Sequence, residues 1–177
     1  AYIENRCIVD VLKKHASFKS NWFLKTDVSG FFPNTTLDFT MRMLSMVFPL
    51  SEIMKDNIGK EELTKAISLG FLNGGIPQGS SLSPVLTNII MIPIDHKLFG
   101  EFAKRKMVYT RYADDMDISA QEQFPYKKVV AFIQSTFKEF GAPYVIKDEK
   151  THYGNVNGKN WILGLMLTGE HKITVGY

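Results

Sequence analysis

The stretch from Val108 to Ser119 constrains this chain more than any other. Val108 to Tyr112 and Met116 to Ser119 are rich in Val, Ile, Tyr and Thr, and two adjacent acids, Asp114 and Asp115, stand between them. β-prone runs around a short polar break predict a tight hairpin with Asp114 and Asp115 at its turn. A turn presents both carboxylates outward, which suits a divalent cation. Hard ions such as Mg²⁺ take oxygen ligands and are held by one or two carboxylates together with substrate phosphates. One hairpin therefore does not complete a site, and a further acid has to come from another strand.

Trp22 to Val28 reads as a strand that ends at Gly30. It places Asp27 near its exit, where side chains meet ligands in α/β architectures. Between the two acidic strands, Gly74 to Asn88 is a loop of Gly, Pro and Ser that runs into an apolar helix. Glycine allows close approach of backbone to a ligand, and a helix N-terminus favours phosphate. Each segment alone has an ordinary structural reading. Asp pairs bond their own backbone in surface turns, and Ser81 or Ser83 would cap the helix with Pro84 in its first turn.

Taken in order, Asp27 in its strand, the Pro77-Gln78-Gly79 loop and Tyr112-Ala113-Asp114-Asp115 resemble motifs A, B and C of reverse transcriptases, close to the bacterial retron type. Phe140-Gly141 through Lys150-Thr151 resembles the motif D region, and Ile162 to Leu165, with Leu163 and Gly164, resembles the primer grip. Tyr2 to Arg6 and the helix to His15 resemble the segment that enters motif A in retron and group II intron enzymes. The resemblance covers nearly all 177 residues. It does not choose among retron, mobile-intron and phage-defence settings.

The resemblance implies an α+β polymerase palm over residues 1–177, an antiparallel sheet covered by helices on one face. It implies a partial fingers segment at the N-terminus and no thumb, since only ten residues follow Leu167. The implied activity is RNA-directed DNA synthesis. A primer 3′ hydroxyl attacks the α-phosphate of a deoxynucleoside triphosphate with two Mg²⁺ ions in the site, Mn²⁺ being the alternative ion. Asp27 and Asp114 would bridge the ions, and Asp115 would ligate or support them. Lys150, three residues after Lys147, matches the lysine that donates a proton to leaving pyrophosphate. Phe32, five positions after Asp27, would be the steric gate that excludes a ribose hydroxyl, with Phe31 left to packing. Pro77, Gln78 and Gly79 would meet the nucleotide and template, and Tyr112 and Ala113 the primer end. The implied partners are an RNA template, a DNA or RNA primer and dNTP. The alternatives are a catalytically silent palm serving as a nucleic-acid-binding or assembly module, and RNA-templated RNA synthesis, against which Phe32 and Ala113 speak.

Composition agrees with one globular domain, 45% of residues being hydrophobic. Discounting the three proposed metal ligands leaves 15 acidic against 21 basic residues, which favours a polyanionic partner. Lys13, Lys14, Lys19, Lys25, Lys104, Arg105 and Lys106 are the candidates for phosphate contact. Cys7 is the one cysteine, so no intramolecular disulfide forms, and the default compartment is the cytoplasm. The four histidines are widely separated without zinc-type spacing and read as packing or surface residues. No apolar run reaches the roughly 20 residues needed to cross a bilayer. Asp117 shares a strand face with Asp115 and reads as a solvated or paired acid.

Apolar spacing predicts helices over Ile3–His15, Thr36–Val47, Glu61–Leu69, Ser83–Lys104 with Pro93 inside, and Tyr126–Phe140 ended by Gly141. Late strands are expected near Tyr144, His152, Trp161–Leu167 and Ile173, with Asn155–Asn160 as a hairpin turn joining two of them.

Overall fold

In the computed structural model, which describes residues 7–158 and 162–175, the hairpin becomes β2 (Met107–Tyr112) and β3 (Asp115–Ala120). With β1 (Trp22–Asp27) and β4 (His152–Asn155) they form an antiparallel sheet of order β2-β3-β1-β4. Register sets Asp27 opposite Asp115, Lys25 opposite Asp117 and Leu24 opposite Ile118. On the other side of β3, Tyr112 lies opposite Asp115 and Thr110 opposite Asp117. Successive strand residues point to opposite faces. Leu24, Tyr109, Met116 and Ile118 therefore share one face, and Asp27, Asp115, Asp117 and Ser119 share the other.

The apolar face packs on α3 (Leu37–Leu44), α6 (Leu82–Lys104) and α7 (Tyr126–Glu139), through fully buried Ile90, Ile94, Leu98, Phe102, Ile133 and Phe137. Each such side chain contributes roughly 1.5–3 kcal/mol by leaving water. Tyr144 is almost wholly buried among Phe31, Phe39 and Phe137, with ring centroids 5.0, 5.4 and 5.6 Å away. Its hydroxyl meets Thr35 Oγ1 at 2.8 Å, which satisfies a polar atom that burial would otherwise strand.

The polar face is covered at one end only. There α1 (Ile8–Ser17) and a second sheet of β5 (Leu165–Leu167) and β6 (Ile173–Val175) enclose a smaller core of Leu12, Phe23, Val156, Ile162 and Leu167. The helical cover is thus not confined to one face: α1 is amphipathic and buries its stripe against the polar side of the sheet, where Phe23 offers it an apolar seat. Among the described residues no helix is long and apolar enough to cross a membrane.

Several expected boundaries move for local reasons. Ile3–Arg6 lies outside the described residues, as does Trp161. Short helices α2 (Phe31–Asn34) and α4 (Leu50–Ile53) appear where no periodicity is long enough to show them. α5 (Asn57–Ser68) starts before Glu61 because the Asp56 carboxylate caps it, accepting from Gly59 N at 2.9 Å. Neither Ser81 nor Ser83 caps α6; the Ser83 hydroxyl instead donates to Pro77 O at 2.7 Å. α6 runs unbroken through Pro93. Tyr144 is not in a strand; its neighbour Ile146 forms an isolated bridge with Val28. The segment after Asn155 does not join two paired strands, because β4 pairs with β1 and β5 with β6. The edge of β1 not taken by β3 is occupied by β4.

Candidate active site

The hairpin turn consists of Ala113 and Asp114, because Tyr112 pairs with Asp115 and Asp115 already belongs to β3. This corrects the expectation that both acids occupy the turn. Asp115 is fixed by the ladder on the polar face, directly across from Asp27, while Asp114 projects from the loop end. The Asp114 carbonyl accepts from Val28 N at 3.2 Å, so the turn is stitched to the residue after Asp27. The three proposed carboxylates therefore meet at one end of the sheet. Partial burial, together with the neighbouring charges of Asp27 and Asp115, raises the Asp114 pKa above the ordinary carboxylate range.

Lysines compensate this crowding. Lys147 Nζ lies 3.3 Å from Asp27 Oδ1, Lys150 Nζ lies 3.3 Å from Asp27 Oδ2, and Lys25 Nζ lies 3.5 Å from Asp115 Oδ1. Lys150 is delivered by a 3-10 turn, Asp148–Lys150, that precedes β4, and a backbone bond from Lys147 N to Asp27 O at 3.0 Å holds this turn beside β1. The hydrogen bond to Asp27 raises the Lys150 pKa and keeps its ammonium charged. Lys25, expected on a phosphate-binding surface, turns inward to Asp115, and Lys13 and Lys104 pair with Asp10 and Glu101.

Among the described residues no three His, Cys, Asp or Glu side chains already surround a common metal position. The donor chemistry nonetheless fits a hard divalent cation. The ligands are carboxylates only, they repel one another, and the buried Asp27 Oδ1 has no hydrogen bond, its contact with Lys147 being an ion pair alone. Ammonium groups stand where bound cations would neutralise the same charges.

A cleft of about 960 Å³ runs from Asp27, Asp115 and Lys150 past Asp117 to Gly158 and Ile162. At that far end Leu163 (φ 51°) and Gly164 (φ 82°) form a tight turn closed by reciprocal Ile162–Leu165 backbone bonds of 2.8 and 3.0 Å. The expected strand through Leu163 and Gly164 is thus a turn, since two successive left-handed residues reverse the chain.

Phe32 and the Pro77–Gly79 loop do not line this cleft. Phe31 is buried against Tyr144 whereas Phe32 is only half-buried, its carbonyl accepting from Ile76 N at 3.0 Å. A Cβ on Gly75 would lie 2.0 Å from Pro33 O, so only glycine lets the loop lie this close to the residues after Asp27. Gln78 and Gly79 (φ 88°) are exposed and Pro77 is half-buried, leaving the glutamine amide free to meet a ligand.

One group of functional residues escaped the sequence reading. Ala113 has φ 53°, a left-handed conformation that costs an L residue roughly 1–2 kcal/mol. Its carbonyl accepts from Arg111 Nη1 at 2.8 Å. The same guanidinium donates to Asp95 of α6 through Nε (2.9 and 3.1 Å) and Nη2 (2.6 Å), and Tyr109 OH donates to Asp95 Oδ1 at 2.8 Å. Burial opposes the Arg111 charge, but Asp95 more than restores it, holding the pKa above the ordinary range. The available signal was parity: Arg111 occupies the core-facing register of β2, where a charge needs a buried partner.

Asp117 departs from expectation as well. It is 2% exposed with neither carboxylate oxygen hydrogen-bonded, and burial pushes its pKa up to about 7. His15 is buried and meets Ser119 Oγ at 2.6 Å and Thr110 Oγ1 at 2.9 Å.

Comparison with known proteins identifies the family and agrees with the fold. Residues 1–167 match the family model described as reverse transcriptase (RNA-dependent DNA polymerase). The chain is 30% identical over 158 residues to the retron Ec86 reverse transcriptase of Escherichia coli, covering 89% of this chain and 45% of that one. It is 26% identical over 181 residues to the retron Ec73 reverse transcriptase of Escherichia coli, covering 99% and 57%. The chain thus spans about half the length of these curated relatives. Among solved structures, apo telomerase from Candida tropicalis, truncated from its C-terminal domain, superposes with TM-score 0.68 at 15% identity over 97% of this chain and 40% of that one. Telomerase from Candida albicans, in complex with the TWJ fragment of telomeric RNA, gives 0.68 at 16% identity over 95% and 34%. The chain therefore belongs to the reverse transcriptase family, of the bacterial retron type, and carries its palm-like α+β fold.

Proposed function

We propose that this chain is the catalytic palm of an RNA-directed DNA polymerase that extends a primer 3′ hydroxyl with deoxynucleotides on an RNA template. The observation that carries this reading is the ladder that sets Asp27 across from Asp115, with the Asp114 turn bonded to Val28. Asp27 and Asp114 are the residues to hold two Mg²⁺ ions, with Asp115 as ligand or support. Bound metal would activate the primer hydroxyl and neutralise the triphosphate. Asp27 exchanges its lysine partners for that charge, which frees Lys150 to protonate the departing pyrophosphate. Phe32 stands over the sugar and excludes a ribose hydroxyl. Pro77, Gln78 and Gly79 bind the nucleotide against the template, and Tyr112 and Ala113 support the primer terminus. Leu163 and Gly164, at the far mouth of the cleft, bear on the primer strand behind it.

Primer extension by the full-length protein with Mg²⁺, on RNA and DNA templates with deoxy- and ribonucleotides, tests the reading. RNA-templated incorporation of dNTP is the expected result. Preferential ribonucleotide incorporation would make it an RNA polymerase, and template binding without extension would leave a silent nucleic-acid-binding module. Replacing Phe32 by Val is expected to raise ribonucleotide use by about tenfold to a hundredfold, a 1.4–2.7 kcal/mol change in discrimination. Unchanged sugar choice removes the gate assignment.

A further inference from the structure

We propose that Arg111 and Asp95 form a positioning pair that sets where Asp114 stands, and so sets the metal affinity of the site; the inference rests on the polymerase reading above. The turn is built on an alanine in a left-handed conformation, which isolated chains seldom populate. Free energy alone would let Ala113 relax and carry Asp114 away from Asp27. Something has to hold the peptide after Ala113, and the Arg111 Nη1 contact to its carbonyl at 2.8 Å does so.

Arg111 is itself immobilised. Its remaining donors grip both oxygens of Asp95, a fork-on-carboxylate arrangement that fixes the guanidinium in orientation as well as place. Tyr109 OH ties the same carboxylate from β2. Asp95 sits on α6, the helix that begins at Leu82, three residues after Gly79 of the Pro77–Gly79 loop. The pair thus couples the acid-bearing turn to the helix that carries the nucleotide-facing loop, and both are referred to one rigid element. A lysine in place of Arg111 keeps the charge but lacks the fork, so it cannot hold Asp95 and the Ala113 carbonyl together.

The test uses the full-length protein with Arg111→Lys and Asp95→Asn, and reads three quantities. Mn²⁺ binding is measured by electron paramagnetic resonance without substrate, kcat and KM for dNTP by primer extension, and folding by circular dichroism and the thermal midpoint. Arg111→Lys is expected to weaken Mn²⁺ binding about tenfold and lower kcat by about tenfold to a hundredfold, with KM for dNTP changed less. Asp95→Asn keeps the size and one acceptor, so it is expected to fold even if Arg111→Lys does not, with Mn²⁺ binding weakened about threefold or more. Wild-type Mn²⁺ affinity and kcat in a folded variant overturn the assignment. So does a loss of Mn²⁺ binding that only follows the unfolded fraction, which would make the pair structural alone. If the wild-type protein binds Mn²⁺ but extends no primer, the polymerase reading fails while the positioning assignment is still judged on metal affinity.

Discussion

Three polar residues on one face of β3, Asp115, Asp117 and Ser119, meet three different fates within five positions of one strand. At the open end, Asp115 shares its surroundings with Asp27 and Asp114, and among the described residues its charge is met by Lys25 at 3.5 Å. At the closed end, Ser119 is fully satisfied: His15 Nδ1 and Ser20 Oγ each reach it at 2.6 Å, and Thr110 holds the other ring nitrogen. Asp117, between them, is buried with no hydrogen bond at all. The same backbone geometry thus carries a cluster of crowded carboxylates and a completed polar core. What separates them is cover. α1 seals one end and nothing among the described residues seals the other.

The comparison implies that removing polarity has opposite consequences at the two ends. The largest effect is expected at the open end. On the proposed polymerase reading, Asp114→Ala is predicted to lower primer extension by at least about 10³-fold, some 4 kcal/mol, because the reading places this carboxylate where charge develops at the reacting phosphate. The thermal midpoint without metal is predicted to stay level or rise, since the variant relieves a carboxylate crowded by Asp27 and Asp115. A variant that fails to fold would make Asp114 a structural acid and break the contrast.

At the closed end the prediction concerns stability and its pH dependence. Burial, and secondarily Lys14, lowers the His15 pKa from 6.5 to about 4. Between those values the unfolded chain binds a proton that the folded chain refuses, so stability is fully present above pH 6.5 and is lost as pH falls toward 4. The His15 contribution is expected to fall by about 2 kcal/mol from pH 7 to pH 5, read as the difference between wild type and His15→Gln in denaturant titrations at each pH, because buried Asp117 titrates with the opposite sign over the same range. His15→Gln should flatten that slope and cost about 1–3 kcal/mol at pH 7 through the hydroxyls it leaves poorly paired. An unchanged slope would show that another group controls acid sensitivity.

How much of this was open to reading depended on whether the information was local. The β2–β3 hairpin, the β1 strand and the long helix after the Gly-rich loop were visible because period-2 and helical spacing are written in neighbouring residues. Asp27, Asp114 and Asp115 were singled out by residue type and order, and the ladder brings their elements together. The fate of Asp117 was not legible, because parity gives its face but not how deeply the cleft wall buries a side chain on that face. The partner of Arg111 was equally hidden. Its position on β2 announces a buried charge, but Asp95 comes from a helix sixteen residues earlier in the chain, and its choice depends on how α6 lies across the sheet. The strands after Asn155 were misjoined for a related reason: sequence adjacency suggests a hairpin, while the vacant edge of β1 offers β4 a larger sheet.

Asp117 itself is the finest discriminator between the two ends. Burial raises its pKa from 3.8 to about 7, against the attraction of Lys25 and with the repulsion of Asp115. The folded state therefore holds a proton that the unfolded chain has already released, and stability declines as pH rises from about 4 toward 7. Above that range the folded protein carries an ionised, unbonded carboxylate in its interior. Asp117→Asn removes the charge while keeping the shape, so in the presence of chelator at pH 8 it is expected to gain on the order of 1 kcal/mol, with little change at pH 4. The gain stays below the full cost of the buried charge because the Asn amide brings its own unmet donors. Equal stability changes at both pH values would mean that Asp117 is solvated as Asp115 is; a gain confined to high pH marks it as a buried carboxyl in the cleft wall.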